Sequence, residues 1–172
     1  MKISILSVVA AVSVCLSAGA ADKSSTISGV HICCKKCVTD LQKAISEVPG
    51  AKADIDADNA SVVLSGPDTA TVQKAADAMV KAGYFGKSSD SAVKMDAATG
   101  AKGQKVKTLT IEGVHLCCGK CAKAVDKAVK SVSGVEAHTA VKNAKSFEVT
   151  GDFNDKDVFT ALQNEGLTGK AK

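Results

Sequence analysis

A nine-residue stretch recurs in this chain with seven positions identical: GVHICCKKC at 29–37 and GVHLCCGKC at 113–121, with a constant offset of 84. Three cysteines, a histidine and a glycine keep one register in both copies. The likeness extends further, because TISGVHICCKKCVTDLQKAISEVPG (26–50) and TIEGVHLCCGKCAKAVDKAVKSVSG (110–134) share 13 of 25 positions. Changed apolar positions stay apolar: Ile32 becomes Leu116, Leu41 becomes Val125 and Ile45 becomes Val129. An internal duplication of this kind divides the chain into two units of about 65 residues, small but large enough to fold. Any fold must therefore be found twice, and must place thiols at the same point each time.

Each triplet is followed by an amphipathic helix. Leu41, Ala44, Ile45 and Val48 fall at i, i+3, i+4 and i+7, as do Val125, Ala128, Val129 and Val132. Pro49-Gly50 and Ser133-Gly134 end these helices. Two strands are predicted next, at 51–57 and 60–65 in the first unit and at 135–141 and 145–150 in the second. Asp68, and Asn154 or Asp155, then cap second helices. Gly83 and Gly166 stand where a left-handed C-terminal cap is expected. With a strand before each triplet (26–32 and 107–116) the order is β-α-β-β-α. A closing strand would complete a ferredoxin-like βαββαβ unit, and it is the weakest element: only Tyr84-Phe85 and Leu167-Thr168 look strand-like. The fold class expected is α+β, with domains at 25–86 and 107–170. Residues 87–106, rich in Ser, Ala, Gly, Asp and Lys, read as a flexible linker.

The first twenty residues have another character. Lys2 precedes an apolar run from Ile3 to Leu16, and Ala18-Gly19-Ala20 has the small-x-small form of a signal-peptidase site. The run is shorter than the ~20 apolar residues of a spanning helix. An exported protein, periplasmic or secreted and without a membrane span after cleavage, is expected. Cleavage after Ala20 removes Lys2 and Cys15, leaving a net charge of +3 and six cysteines, all within the triplets. So small a charge speaks against nucleic-acid or membrane-surface binding. The lack of Trp, with one Tyr and four Phe, leaves little to stack on bases.

The chemistry rests on sulfur. Cys34 and Cys37, like Cys118 and Cys121, form a Cys-x-x-Cys pair where a strand enters a helix. A helix N-terminus favours thiolate, and Lys35, Lys36 and Lys120 add positive charge. Thiolates bind soft ions such as Cu(I), and also Zn(II). Two tight clusters 84 residues apart make a poor disulfide framework. Thiol–disulfide exchange stays open as an alternative, although no Trp precedes the motif and Pro49 and Pro67 fit a helix end and a turn. No nucleophile–base pair, phosphate loop or carboxylate pair appears, so an enzyme is not expected.

With these motifs each unit resembles the heavy-metal-associated domain of copper chaperones, periplasmic mercury-binding proteins and the N-terminal regions of metal-transporting P-type ATPases. The family core is Gly-Met-x-Cys-x-x-Cys; His31 and His115 replace its glycine, and Ile32 and Leu116 its inward-packing methionine. The resemblance implies a metal site at Cys34, Cys37, Cys118 and Cys121, with about one Cu(I), or else zinc, per domain. It also implies sequestration or delivery of that ion, and a metal-transporting ATPase or other acceptor protein as partner. Cys33 and Cys117 extend the motif to Cys-Cys-x-x-Cys and are candidate third ligands, a feature that keeps zinc, cadmium or mercury binding open. Tyr84 stands where related domains carry a tyrosine near the metal, and Leu167 takes that place in the second unit. Tyr84, His31 and His115 are expected beside the ligands and not on the ion. Two separately linked clusters suggest two independent sites.

Overall fold

A computed structural model describes residues 22–172; the expected signal segment lies outside them. The first unit runs β1 (Lys23–Ser28), α1 (Lys35–Ser46), β2 (Lys52–Asp56), β3 (Ser61–Gly66), α2 (Thr69–Lys81) and β4 (Lys87–Ser88). The second repeats it as β5 (Lys105–Glu112), α3 (Gly119–Lys130), β6 (Val135–His138), β7 (Ser146–Asn154), α4 (Asp155–Asn164) and β8 (Lys170–Ala171). The sheets are antiparallel, in the orders β2-β3-β1-β4 and β6-β7-β5-β8. That order, with two helices on one face, is the ferredoxin-like arrangement, here formed twice.

The elements form where the apolar periods place them. Leu41 and Ile45 of α1, and Val125, Ala128 and Val129 of α3, are buried against their sheets. Alternation buries Val62 and Leu64 on β3 and Phe147, Val149 and Phe153 on β7. Asp68 caps α2 by accepting from the Thr71 N–H, and Asn154 caps α4 by accepting from the Lys156 N–H. The sequence had left that second cap open between Asn154 and Asp155.

Several boundaries differ from expectation: β6 ends at His138 and not at 141, and β7 runs on to Asn154 and not to 150. The leading strands end at Ser28 and Glu112, so a loop and not a strand end leads into each triplet, whose last cysteine lies in the helix. The closing strands are two residues long and lie at 87–88 and 170–171, inside the segment expected as linker in the first case. Tyr84 and Leu167, the strand-like residues of the sequence, pair instead with each other as an isolated antiparallel bridge between the units. Their strand propensity is spent on docking.

The segment between the units is tethered at several points. The Gln73 side chain donates to the Lys94 carbonyl and accepts from its N–H, Val93 is buried, and the Ala171 N–H donates to the Thr99 carbonyl. The strongest anchor is Asp155, 6% exposed, whose carboxylate accepts from the backbone N–H groups of Lys102, Gly103 and Gln104 at 2.8, 2.7 and 3.0 Å. Burial alone would raise its pKa, but these donors outweigh burial and hold the carboxyl below the usual range.

Because this pKa is depressed in the folded state, the contribution of Asp155 is complete above the unfolded carboxylate value. It is lost as pH falls below about 4. Asp155→Ala should cost about 1–3 kcal/mol and expose residues 100–104 to limited proteolysis at neutral pH. Wild-type protein should gain the same sensitivity only on acidification, read by timed digestion across a pH series.

Candidate metal centre

Each triplet is set by the same local construction. Buried Val30 and Ile32, or Val114 and Leu116, pin the loop that leaves the first strand. Cys34 and Cys118 then occupy the N-cap positions of α1 and α3. Cys37 and Cys121 follow one turn in and are fully buried. Neither N-cap sulfur accepts a capping hydrogen bond of good geometry from its own helix. As N-caps, these sulfurs nevertheless sit beside the positive ends of α1 and α3.

The two triplets, 84 residues apart in the chain, meet. Within the first, Cys33 and Cys34 Sγ lie 3.6 and 3.5 Å from Cys37 Sγ. Within the second, Cys117 and Cys118 Sγ lie 3.7 and 3.8 Å from Cys121 Sγ. Between them, Cys33 is 3.5 Å from both Cys118 and Cys121, while Cys117 is 3.7 Å from Cys34 and 3.6 Å from Cys37. Exchanging 33 with 117, 34 with 118 and 37 with 121 reproduces the whole set, so the cluster has an approximate two-fold axis. All six cysteines are free thiols. The expectation of two separate sites gives way to a single group of six sulfurs.

Backbone contacts bring the domains to this distance. The Phe85 N–H donates to the Gly166 carbonyl and the Thr168 N–H to the Gly83 carbonyl, each at 3.0 Å, and the His31 N–H also donates to Gly166 at 3.2 Å. Gly83 and Gly166 have φ of +87° and +74°. A Cβ on Gly83 would collide with the Gly113 carbonyl and His115 nitrogen of the other domain, and one on Gly166 with the Gly29 carbonyl and His31 nitrogen. These glycines end helices, as their sequence positions predict, and also let two backbones touch.

Aromatic and imidazole groups frame the sulfurs. Tyr84, completely buried, donates its hydroxyl to the Cys37 carbonyl at 3.1 Å and stacks on His115 of the other domain with ring centroids 4.4 Å apart. Such a pair adds about 0.5–1.5 kcal/mol beyond burial. Leu167, also fully buried, holds the equivalent place toward the other unit and offers no such hydroxyl. His31 and His115 are not on solvent-facing strands: the Nε2 of each is buried without a hydrogen-bond partner. Burial lowers both pKa values, so the rings are neutral. A ring nitrogen of His115 lies within 4.8 Å of the Cys37, Cys117 and Cys121 sulfurs, and one of His31 within the same distance of Cys33 and Cys121. His138 is bonded to Asp126 at 2.9 Å with its side chain 11% exposed.

Six thiols this close cannot all ionise without counter-charge. Burial first, then donation to neighbouring sulfurs, pushes Cys33 and Cys117 far above the ordinary thiol range. Cys118 is drawn down to about 6, chiefly by the Cys121 backbone N–H aimed at its sulfur. The equivalent Cys37 and Cys121 shift in opposite directions, so the inner thiols share protons as a group. Lys120 reaches across to the Cys33 carbonyl, and a shallow opening lined by Cys33, Cys34, Cys118, Gly119, Lys120 and Lys123 leads to the cluster. The donor set is sulfur with imidazole at its edge, and no carboxylate joins it. Such a set fits a soft or borderline ion.

A ferredoxin-like domain presenting Cys-x-x-Cys at the start of its first helix defines a class of small thiolate metal-binding domains. The family model of the heavy-metal-associated domain matches residues 26–85. The first domain is thus similar to heavy-metal-associated domains over about a third of the chain. No curated protein sequence matches significantly. Among solved structures, the N-terminal soluble domains of Bacillus subtilis CopA align at 17% identity and a TM-score of 0.32, over 89% of this chain and 95% of that one. The first two RRM domains of the yeast poly(U)-binding protein Pub1 align at 11% identity and 0.24, over 87% and 98%. Both scores describe no more than a loose likeness of overall shape.

Docking depends on the two glycines. Gly83→Ala or Gly166→Ala should leave each domain folded, since the strain at positive φ is about 1–2 kcal/mol, but should force the backbones apart. Small-angle scattering of the reduced protein should then give a larger radius of gyration, with unchanged far-ultraviolet circular dichroism. An unchanged radius would show that the interface tolerates a Cβ.

Proposed function

We propose that this protein, whose residues 26–85 match the heavy-metal-associated domain, is an exported Cu(I) carrier. It would hold the ion on cysteine thiolates for sequestration or for delivery to an acceptor such as a metal-transporting ATPase. The observation that carries the reading is the cluster itself: six sulfurs within a chain of 3.5–3.8 Å contacts, with no carboxylate among them. Such an all-sulfur environment favours Cu(I), whereas oxygen donors would favour harder ions. The second unit, with the same topology and triplet, would act as a second copy of the same kind of domain.

The residues divide the work. Cys37 and Cys121, buried, would grip the ion from beneath, while half-buried Cys34 and Cys118 stand at the rim. There an incoming thiolate could replace them one at a time. Lys120 and Lys123 line the opening and would favour an acidic acceptor face. No residue is assigned a catalytic role. Among the described residues no helix is long and apolar enough to cross a membrane.

Anaerobic titration of reduced residues 21–172 against a competing Cu(I) chelator should give about two ions per chain, retained in the presence of excess zinc. Zinc displacing Cu(I) would favour the zinc, cadmium or mercury reading. Rapid turnover of a dithiol substrate by metal-free protein, with weak metal affinity, would favour thiol–disulfide exchange. For export, N-terminal sequencing of protein recovered from its native host should begin at Ala21; an intact Met1 would refute it.

A further inference from the structure

If the chain binds a soft ion, the sulfur geometry says which thiols share it. A trigonal site needs three sulfurs in mutual contact. Within the first triplet, Cys33 and Cys34 both touch Cys37, while the Cys33–Cys34 edge makes no sulfur hydrogen bond and closes only within 4.8 Å. The second triplet fails in the same way, since Cys117 and Cys118 touch Cys121 but make no sulfur hydrogen bond to each other. Neighbouring residues at a loop-to-helix junction send their side chains in different directions, so one triplet alone lacks a third sulfur–sulfur hydrogen bond.

Across the interface that third bond forms. Cys34, Cys37 and Cys117 form a complete triangle with edges of 3.5, 3.6 and 3.7 Å. Cys118, Cys121 and Cys33 form its two-fold mate, with edges of 3.8, 3.5 and 3.5 Å. The centre of such a triangle is about 2.1 Å from each sulfur, against about 2.3 Å for a zinc–thiolate bond. A coplanar ion would therefore need the edges to open by a few tenths of an ångström. We propose that each Cys-x-x-Cys pair takes its third thiolate from the opposite domain, Cys117 completing Cys34–Cys37 and Cys33 completing Cys118–Cys121. The first cysteine of each triplet thus serves the site that its own domain does not carry. Two trigonal ions would be held, and each would tie the domains together.

This rests on the soft-metal reading above, and the experiment separates the two. In a Cys34→Ser/Cys37→Ser background the first pair is gone and only the site at Cys118–Cys121 remains. Adding Cys33→Ser should then weaken Cu(I) binding at least tenfold by chelator competition, and lower the sulfur coordination number in X-ray absorption from three to two. Adding Cys117→Ser should change neither beyond twofold. Gly166→Ala in the same background should reproduce the Cys33→Ser result while leaving every remaining sulfur in place, and circular dichroism would confirm that each variant folds. The reverse pattern, with Cys117 needed and Cys33 dispensable, would place the third ligand within the domain and overturn the proposal. Two-coordinate copper with Cys33 and Cys117 both present would overturn it equally. Failure of reduced wild-type protein to bind Cu(I) at all would instead refute the carrier function itself.

Discussion

The contact between two backbones at Gly83 and Gly166 governs the rest of this molecule. It is a small contact, made of three N–H···O bonds, two of which form the bridge between Tyr84 and Leu167. It nevertheless fixes the distance between two helix N-termini, and with them two cysteine triplets. Helices whose positive ends approach each other repel, so bringing them together needs intervening negative charge. Thiolates supply that charge, and a soft cation between the thiolates would in turn relieve their mutual repulsion. Domain docking, thiol ionisation and metal affinity are thereby linked: whatever strengthens one should strengthen the others.

The sequence and the structure agree where local physics decides. The helical period of Leu41, Ile45, Val125 and Val129, the caps at Asp68 and Asn154, and the helix-ending Gly83 and Gly166 could all be read from neighbouring residues. The meeting of the triplets could not. It depends on carbonyl and N–H groups, which every residue carries, and on the lack of a Cβ at two positions that already had a sufficient explanation as helix ends. Tyr84-Phe85 and Leu167-Thr168 looked like closing strands because their propensity is real, yet their partners lie in the other domain. A propensity says that a segment will pair, and leaves open with what.

The two-fold relation is imperfect in an informative way. All six sulfurs obey it, but Tyr84 faces Leu167 and Asp40 has Ala124 as its counterpart. On one side the imidazole of His115 is stacked on Tyr84 and lies 3.7 Å from an Asp40 oxygen. On the other, His31 has no aromatic stack, and its nearest acidic influence comes from Glu165. The thiols are equivalent by geometry, while their surroundings differ in polarity and rigidity. Two ions placed in such a cluster would share a ligand framework without being held equally.

That difference bears on how cargo would leave. A site closed by ligands from two domains can open in two ways: an outside thiolate can displace a rim sulfur, or the domains can part. The first route needs exposure, which Cys34 and Cys118 have and Cys37 and Cys121 lack. The second needs the domains to give up their backbone bonds, the Tyr84–His115 stack and the sulfur contacts between the triplets together. The tethered segment between the units matters here, because its anchors at Gln73 and Asp155 keep the domains close after they part. A short tether holds the effective concentration of each triplet near the other high, so recapture competes with transfer. Release would then favour an acceptor thiol that enters while the domains remain docked, at the lysine-lined opening beside Cys34 and Cys118.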